Sequence, residues 1–266
     1  MRFLTSPVPR LAAAVDGLVG RLMIDNPARR NAIDLAMWQA LPGLIAALAE
    51  ERDVRVIVLG AREGAFSAGA DISEFATARA TPDLSRAYEA ENVRAFEAVM
   101  ACPCPVIAAI SGFCFGAGAG LALSCDLRVA AEDASFAIPA ARLGVAYPPR
   151  AFAPIVAAIG PARTKELFFT GRRVDAAEAL ALGMLNRVVP KDALARTVDE
   201  LAASIAAGAP MTHTATKRAV DAAAGLPVAL PAVTVQALAD ACFDSADALE
   251  GRAAFAEKRA PRFSGR

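Results

Sequence analysis

At 266 residues the chain is long enough for one α/β domain, or two smaller ones, around a sizeable core. Lys plus Arg and Asp plus Glu both number 28, so no overall field recruits DNA or RNA, and only a local phosphate patch fits this balance. The opening Met1-Arg2-Phe3-Leu4-Thr5-Ser6-Pro7 is too broken for a signal peptide. In chain order, Leu18 to Ile24 reads as a strand and Leu35 to Ala49 carries apolar residues at helical spacing. Val54 to Leu59 reads as a short buried strand, and Thr77 to Asp83 as a mobile loop. Ala87 to Ala101 is expected to be helical, with Val93, Phe96 and Met100 on its apolar face. Val106 to Ile110 is a β-branched strand leading into a glycine cluster, and Leu121-Ala122-Leu123 follows in helical register. Leu127 to Ala130 and Ala134 to Ala137 are short strands. Beyond Pro148 the pattern is mainly helical, with one strand around Leu185 to Val189. Strands alternating with helices predict an α/β fold with a largely parallel sheet covered by helices.

No charge occurs between Glu97 and Asp126, a span long enough to suggest a membrane helix. Pro103 and Pro105 break its start, however, and its glycines cluster where a turn is needed. A buried strand followed by a buried helix is the expectation, with no membrane partner. Five cysteines cannot all pair internally, and their spacing suggests no disulfide framework. Cys102-x-Cys104 with a single histidine, His213, gives no zinc ligand set, so no metal is expected. A reducing cytoplasm is the expected location.

The chemistry concentrates in two strand-to-helix turns, Phe66-Ser67-Ala68-Gly69-Ala70-Asp71-Ile72 and Gly112-Phe113-Cys114-Phe115-Gly116-Ala117-Gly118-Ala119-Gly120. Small residues let the backbone turn sharply and approach another atom closely. N–H groups left free at a helix start can hold developing negative charge, and two such donors make an oxyanion hole. The spacing G-x-G-x-G is not the G-x-G-x-x-G of a dinucleotide turn, and no Gly-x-Ser-x-Gly elbow accompanies His213.

These turns, with Ser124-Cys125-Asp126, resemble the crotonase superfamily, also called the enoyl-CoA hydratase/isomerase family. Asn26 to Ala32, Leu143-Gly144-Val145, Glu178 to Val189 and Phe255 to Arg259 resemble further family motifs in the family's order. The resemblance implies a spiral core of ββα superhelical turns over 1–208, carrying the CoA and active site. A helical C-terminal region over 209–266 is implied to mediate a homotrimer or a dimer of trimers. It also implies an acyl-CoA substrate, with no cofactor beyond CoA itself. The family's oxyanion donors fall on Ala70 and Ala117, where glycine is usual at the second position. CoA contacts are implied on backbone near Ala68, Asp71 and Ile72 and on Arg29, which lies close to a lysine position of the family whose matching place is Ala28 here, with Phe255 and Lys258 reaching a neighbouring subunit's site.

The positions of the two hydratase glutamates are Gly120 and Ala140, and the isomerase carboxylate positions are Ala140 or Pro148. None of these can move a proton, so the two-carboxylate hydration mechanism is absent. The reading is an enzyme of the family that stabilises a thioester enolate with non-standard catalytic groups. Tyr147 matches a tyrosine of decarboxylases resembling methylmalonyl-CoA decarboxylase, although those have histidine where Ala70 stands. A decarboxylase and a non-catalytic CoA-ester binding protein are therefore alternatives. Arg142 and Arg150 flank the Tyr147 loop, and Glu74, Tyr88, Glu89 and Glu91 are further groups that could approach the acyl end.

Overall fold

A computed structural model describes residues 1–226 and 232–266. Strands β1 (Arg2–Leu4), β2 (Leu11–Asp16) and β3 (Val19–Ile24) form an antiparallel meander. Helix α1 (Leu35–Glu50) follows, its first turn closed by the Asp34 carboxylate, which accepts from the Met37 N–H at 2.9 Å. Strand β4 (Val56–Ala61) then pairs parallel with β3. Helices α2 (Phe75–Ala78) and α3 (Pro82–Ala101) lead to β5 (Val106–Ile110), parallel to β4.

Two ββα units follow. Strands β5 and β6 (Phe113–Phe115) precede α4 (Ala117–Leu123), and β7 (Leu127–Ala131) and β8 (Ser135–Ala137) precede α5 (Ala140–Leu143). In each unit the first strand joins the large sheet and the second joins a small one. The chain then runs through α6 (Pro149–Thr170), β9 (Val174–Asp175), α7 (Ala176–Ala181), β10 (Arg187–Val189) and α8 (Leu194–Ala206). Helices α9 (Pro210–Ala223), α10 (Ala232–Phe243) and α11 (Ala246–Glu257) complete the C-terminal region. The large sheet has the order β1-β2-β3-β4-β5-β7-β10 and the small one β6-β8-β9. This is the expected α/β superhelix.

Strand β4 shows how the sheet divides the core. Its alternate residues Ile57 and Leu59 face the main core with Trp38, Leu41 and Phe96 of α1 and α3. Val56 and Val58 face the other way, against Val198, Ala202 and Ala206 of α8. Burial on both faces explains the unbroken apolar run in the sequence.

Three elements differ from the sequence reading. Strands β1 and β2 extend the sheet before Leu18, where a three-residue strand and the alanine-rich Leu11–Asp16 carry little pattern. The segment 77–83, expected as a loop, instead contains the end of α2 and the start of α3. Thr81 Oγ1 caps α3 by accepting from the Leu84 N–H at 3.2 Å, and Pro82 occupies its first turn. Finally, the glycine cluster holds two turns rather than one, because β6 lies between Gly112 and Gly116.

Among the described residues no helix is long and apolar enough to cross a membrane. The uncharged span between Glu97 and Asp126 is divided among α3, β5, β6 and α4.

Candidate active site

The two turns meet through backbone pairing. The Ser67 N–H donates to Phe113 O at 2.8 Å and the Phe115 N–H donates to Ser67 O at 2.9 Å, a parallel bridge between Ser67 and Cys114. Both segments bend through a glycine just beyond this bridge, Gly69 before Ala70 and Gly116 before Ala117. On its other side the first segment is held by Ile33, whose N–H donates to Gly69 O at 2.8 Å and whose O accepts from the Asp71 N–H at 3.0 Å. Successive N–H groups of an extended chain point to opposite sides, so Ala70 directs its N–H away from Ile33. Ala117 is the first residue of α4, where no carbonyl one turn earlier in the helix exists to receive its N–H. Among the described residues neither N–H donates to a protein acceptor.

Glycines allow this approach. At Gly69, with φ +96°, an added Cβ would sit 2.7 Å from Phe115 O and 3.5 Å from Ala117 N. Gly116 has φ +52° and ψ −125°, and its N–H is fixed on Ala137 O of β8 at 2.8 Å. The rest of the cradle comes from the Asn26–Ala32 motif. Buried Asn31 donates from Nδ2 to Glu63 O and Ala65 O, at 2.7 and 2.6 Å, while Arg30 O accepts from the Ala68 N–H at 3.0 Å. Asn31 has φ +56°, a conformation that asparagine tolerates, so this motif positions the first turn. Its role was not identified from the sequence, although its place in a recognised motif was a usable signal.

The expected CoA-contact residues gather on one side of that turn. Ala68 is partly buried and Asp71 buried, whereas Ile72 and Arg29 are exposed. The Asp71 carboxylate accepts from the Ser73 N–H at 3.0 Å and pairs with Arg29 at 3.4 Å, while Arg29 also donates to Ser73 Oγ. Phe255 is 88% exposed on α11, and Lys258 caps that helix in the left-handed region. These two lie on the C-terminal region rather than in this turn.

The hydratase glutamate positions contain something else. A Cβ at Gly120 would lie 2.7 Å from Cζ of Phe96, which is 2% exposed and packs edge-on against Trp38 at 5.9 Å between centroids. An α3 side chain thus fills the space where an α4 carboxylate would start. Ala140 is buried at the head of α5.

Tyr147 stands between the Gly116 turn and a cavity of about 780 Å³ between α3 and the 144–150 loop. Its hydroxyl would be 3.7 Å from a Cβ at Gly116. Phe168 packs against the ring at 5.0 Å in a T-shape, and Phe152 lies 6.2 Å away. Burial and then the Glu89 charge push the phenol above its ordinary pKa, opposed by Arg79.

Glu89 also lines the cavity, and its Oε1 pairs with Arg79 Nη1 at 2.6 Å. Arg79 in turn lies over the rings of Phe75 and Tyr88, at 4.3 and 4.2 Å. Burial raises the Glu89 carboxyl pKa, and Arg79 partly opposes it. The other candidates have different roles. Glu74 Oε2 accepts from the Leu35 N–H at 2.9 Å, Glu91 pairs with Arg94 at 2.9 Å, and Tyr88 is buried with its hydroxyl 3.4 Å from Ile33 O. Arg150 lines the cavity paired with Glu97 at 2.7 Å, whereas Arg142 donates to Thr170 O at 3.2 Å. His213 is bonded to Ile205 O at 2.9 Å, far from this chemistry in the fold.

A family model described as enoyl-CoA hydratase/isomerase matches residues 16–266. The chain is 35% identical over 256 residues to a carnitinyl-CoA dehydratase of Salmonella typhi, covering 94% of this chain and 97% of that one. A crystal structure of an enoyl-CoA hydratase/isomerase family protein from Hyphomonas neptunium superposes with TM-score 0.91 at 37% identity, covering 98% of this chain and all of that one. An enoyl-CoA hydratase structure from Bacillus anthracis gives TM-score 0.86 at 30% identity, over 97% and 100% of the two chains. The chain belongs to the enoyl-CoA hydratase/isomerase family.

Proposed function

We propose that this protein is an enzyme acting on acyl-CoA thioesters, and that it stabilises a thioester enolate between the Ala70 and Ala117 N–H groups. The observation that supports this reading is the Ser67–Cys114 bridge with Gly69 packed close to Ala117 N, beside two backbone N–H groups that have no protein acceptor among the described residues. Charge develops on the former carbonyl oxygen only as the enolate forms, so fixed donors favour the transition state over the ground state. Removing one such donor typically costs about 3 kcal/mol in transition-state stabilisation. With Gly120 and Ala140 at the glutamate positions, the protein does not position water between two carboxylates.

CoA lies along Ala68, Asp71, Ile72 and Arg29 in this reading. The exposed Phe255 and Lys258 serve a neighbouring subunit of a trimer or of a dimer of trimers. A second reading, decarboxylation of a malonyl-type thioester, is favoured by the Tyr147 hydroxyl beside Gly116. Loss of CO2 leaves an enolate directly and needs orientation, charge stabilisation and a later proton more than a strong base. Incubation with a mixed acyl-CoA library that includes malonyl-type thioesters, read by mass spectrometry, tests the proposal. Turnover of at least one thioester is expected. Binding of CoA esters with no mass change in any of them, in H2O or in D2O, would make the protein a CoA-ester binder.

A further inference from the structure

Four groups on or near α3 were open as partners of the acyl chain, and their surroundings separate them. Glu74 is committed to the N-terminus of α1, Glu91 to an exposed arginine, and Tyr88 to the core beneath Ile33. Glu89 alone of the four lines the cavity that Tyr147 joins to the oxyanion turn.

The helix phase supports this separation. Glu89, Val93 and Phe96 follow one another at i, i+4 and i+7, a spacing that places them on one face of α3. At one end of this stripe Phe96 occupies the space over Gly120; about two turns earlier Glu89 enters the cavity beside Tyr147. The stripe therefore both excludes a carboxylate from its usual α4 origin and brings one in from α3. Arg79, braced on Phe75 and Tyr88, forms an ion pair with Glu89, its Nη1 2.6 Å from Oε1.

We propose that Glu89 is the proton-transferring catalytic residue of this site, its carboxylate oriented by Arg79 toward the acyl carbon next to the thioester. The proposal rests on the enolate reading given above. Glu89 takes the α-proton, and the C–H electron pair becomes the carbon–carbon π bond of the enolate. The carbonyl π pair moves onto oxygen, where the Ala70 and Ala117 N–H groups hold the charge. Return of the proton to the same carbon regenerates the thioester, so after exchange with D2O the α-carbon acquires deuterium without any net reaction. Burial, which strengthens the carboxylate as a base, supports this role.

The test is α-deuterium incorporation into butyryl-CoA and phenylacetyl-CoA by the full-length protein in D2O, followed by mass spectrometry, with thioester binding measured in parallel. The parent should exchange. Glu89→Gln should slow exchange by about 100-fold or more while binding the thioesters nearly as tightly. Glu91→Gln should exchange like the parent. Glu89→Asp keeps the charge and withdraws it by one methylene, and should slow exchange by about tenfold or more with an unchanged melting temperature. This variant provides the reading if Glu89→Gln does not fold. A folded Glu89→Gln or Glu89→Asp that exchanges at the parental rate overturns the assignment and leaves the enolate reading standing. A parent that binds both thioesters and exchanges neither overturns the role of Glu89 together with enolate formation by proton abstraction, and leaves loss of CO2 as the route to the enolate.

Discussion

The two sides of the candidate site are built differently. Around Gly69 and Gly116 the important atoms are backbone, held by a bridge between Ser67 and Cys114 and by the Asn31 and Ile33 contacts. Across the cavity, along α3 and the 144–150 loop, the important atoms belong to side chains such as Glu89, Arg79 and Tyr147. In the proposed reading the backbone side stabilises charge, and it is built on Gly69 at φ +96° and on Gly116, which combines φ +52° with ψ −125°. The side-chain side is where the proposal puts proton transfer and the acyl group, and a helix can change such side chains without changing its path. One side of a site can therefore keep a family's geometry while the other takes on new chemistry.

The largest expected effect comes from forcing the hydratase arrangement back onto α4. Gly120→Glu places its Cβ against buried Phe96 and adds a charge to the core, so a loss of about 3 kcal/mol or more is expected in denaturant unfolding. Gly120→Glu with Ala140→Glu should therefore gain no appreciable hydration of crotonyl-CoA, and the unaltered protein should hydrate it negligibly. Hydration by the parent at an ordinary hydratase rate would show that other groups position the water and would break the comparison.

Gly69→Ala attacks the backbone side instead. Left-handed backbone costs a non-glycine residue roughly 1–2 kcal/mol, and the new methyl would press on Phe115 O. The expected outcome is a modest fall in melting temperature and a loss of turnover for every thioester the parent accepts. Unchanged turnover would mean that the close approach of Gly69 to Phe115 O is not required for the reaction. Tyr147→Phe keeps the ring packed against Phe168 and removes only the hydroxyl, so stability should change by less than about 1.5 kcal/mol. If decarboxylation is the reaction, malonyl-type turnover should fall while thioester binding persists; an equal loss of binding would make the hydroxyl a packing group.

Much of the backbone side was legible in the sequence. Glycine clusters after β-branched runs announced two turns, and a backbone bridge between Ser67 and Cys114 does join them. The side-chain side was less legible for physical reasons. Thr77 to Asp83 has loop composition, yet Arg79 lies buried within it because two aromatic faces and Glu89 compensate its charge. Nothing in the spacing near Gly120 reveals that Phe96, distant in sequence, fills the space above it. The short β6 was hidden inside the glycine cluster because three residues show no periodicity.

The smallest expected effect concerns the C-terminal segment, remote from both sides. Glu250 accepts from Arg259 at 2.6 Å and from the Arg262 N–H at 2.7 Å, which hold its carboxyl down to about 2 from an ordinary value of 4.5. Because the folded value is depressed, the stabilisation is complete above about 4.5 and fades as pH falls toward about 2. Amide protection at Arg262 should decline over that window, and Glu250→Gln should flatten the decline without altering thioester turnover.

The central claim is geometric and is tested most directly by a crystal structure of the protein with a bound acyl-CoA or a stable thioester analogue. The carbonyl oxygen is expected between Ala70 N and Ala117 N, at about 2.7–3.1 Å from each. A productively bound thioester whose carbonyl lies far from both nitrogens, even with CoA along Ala68 and Asp71, would contradict it.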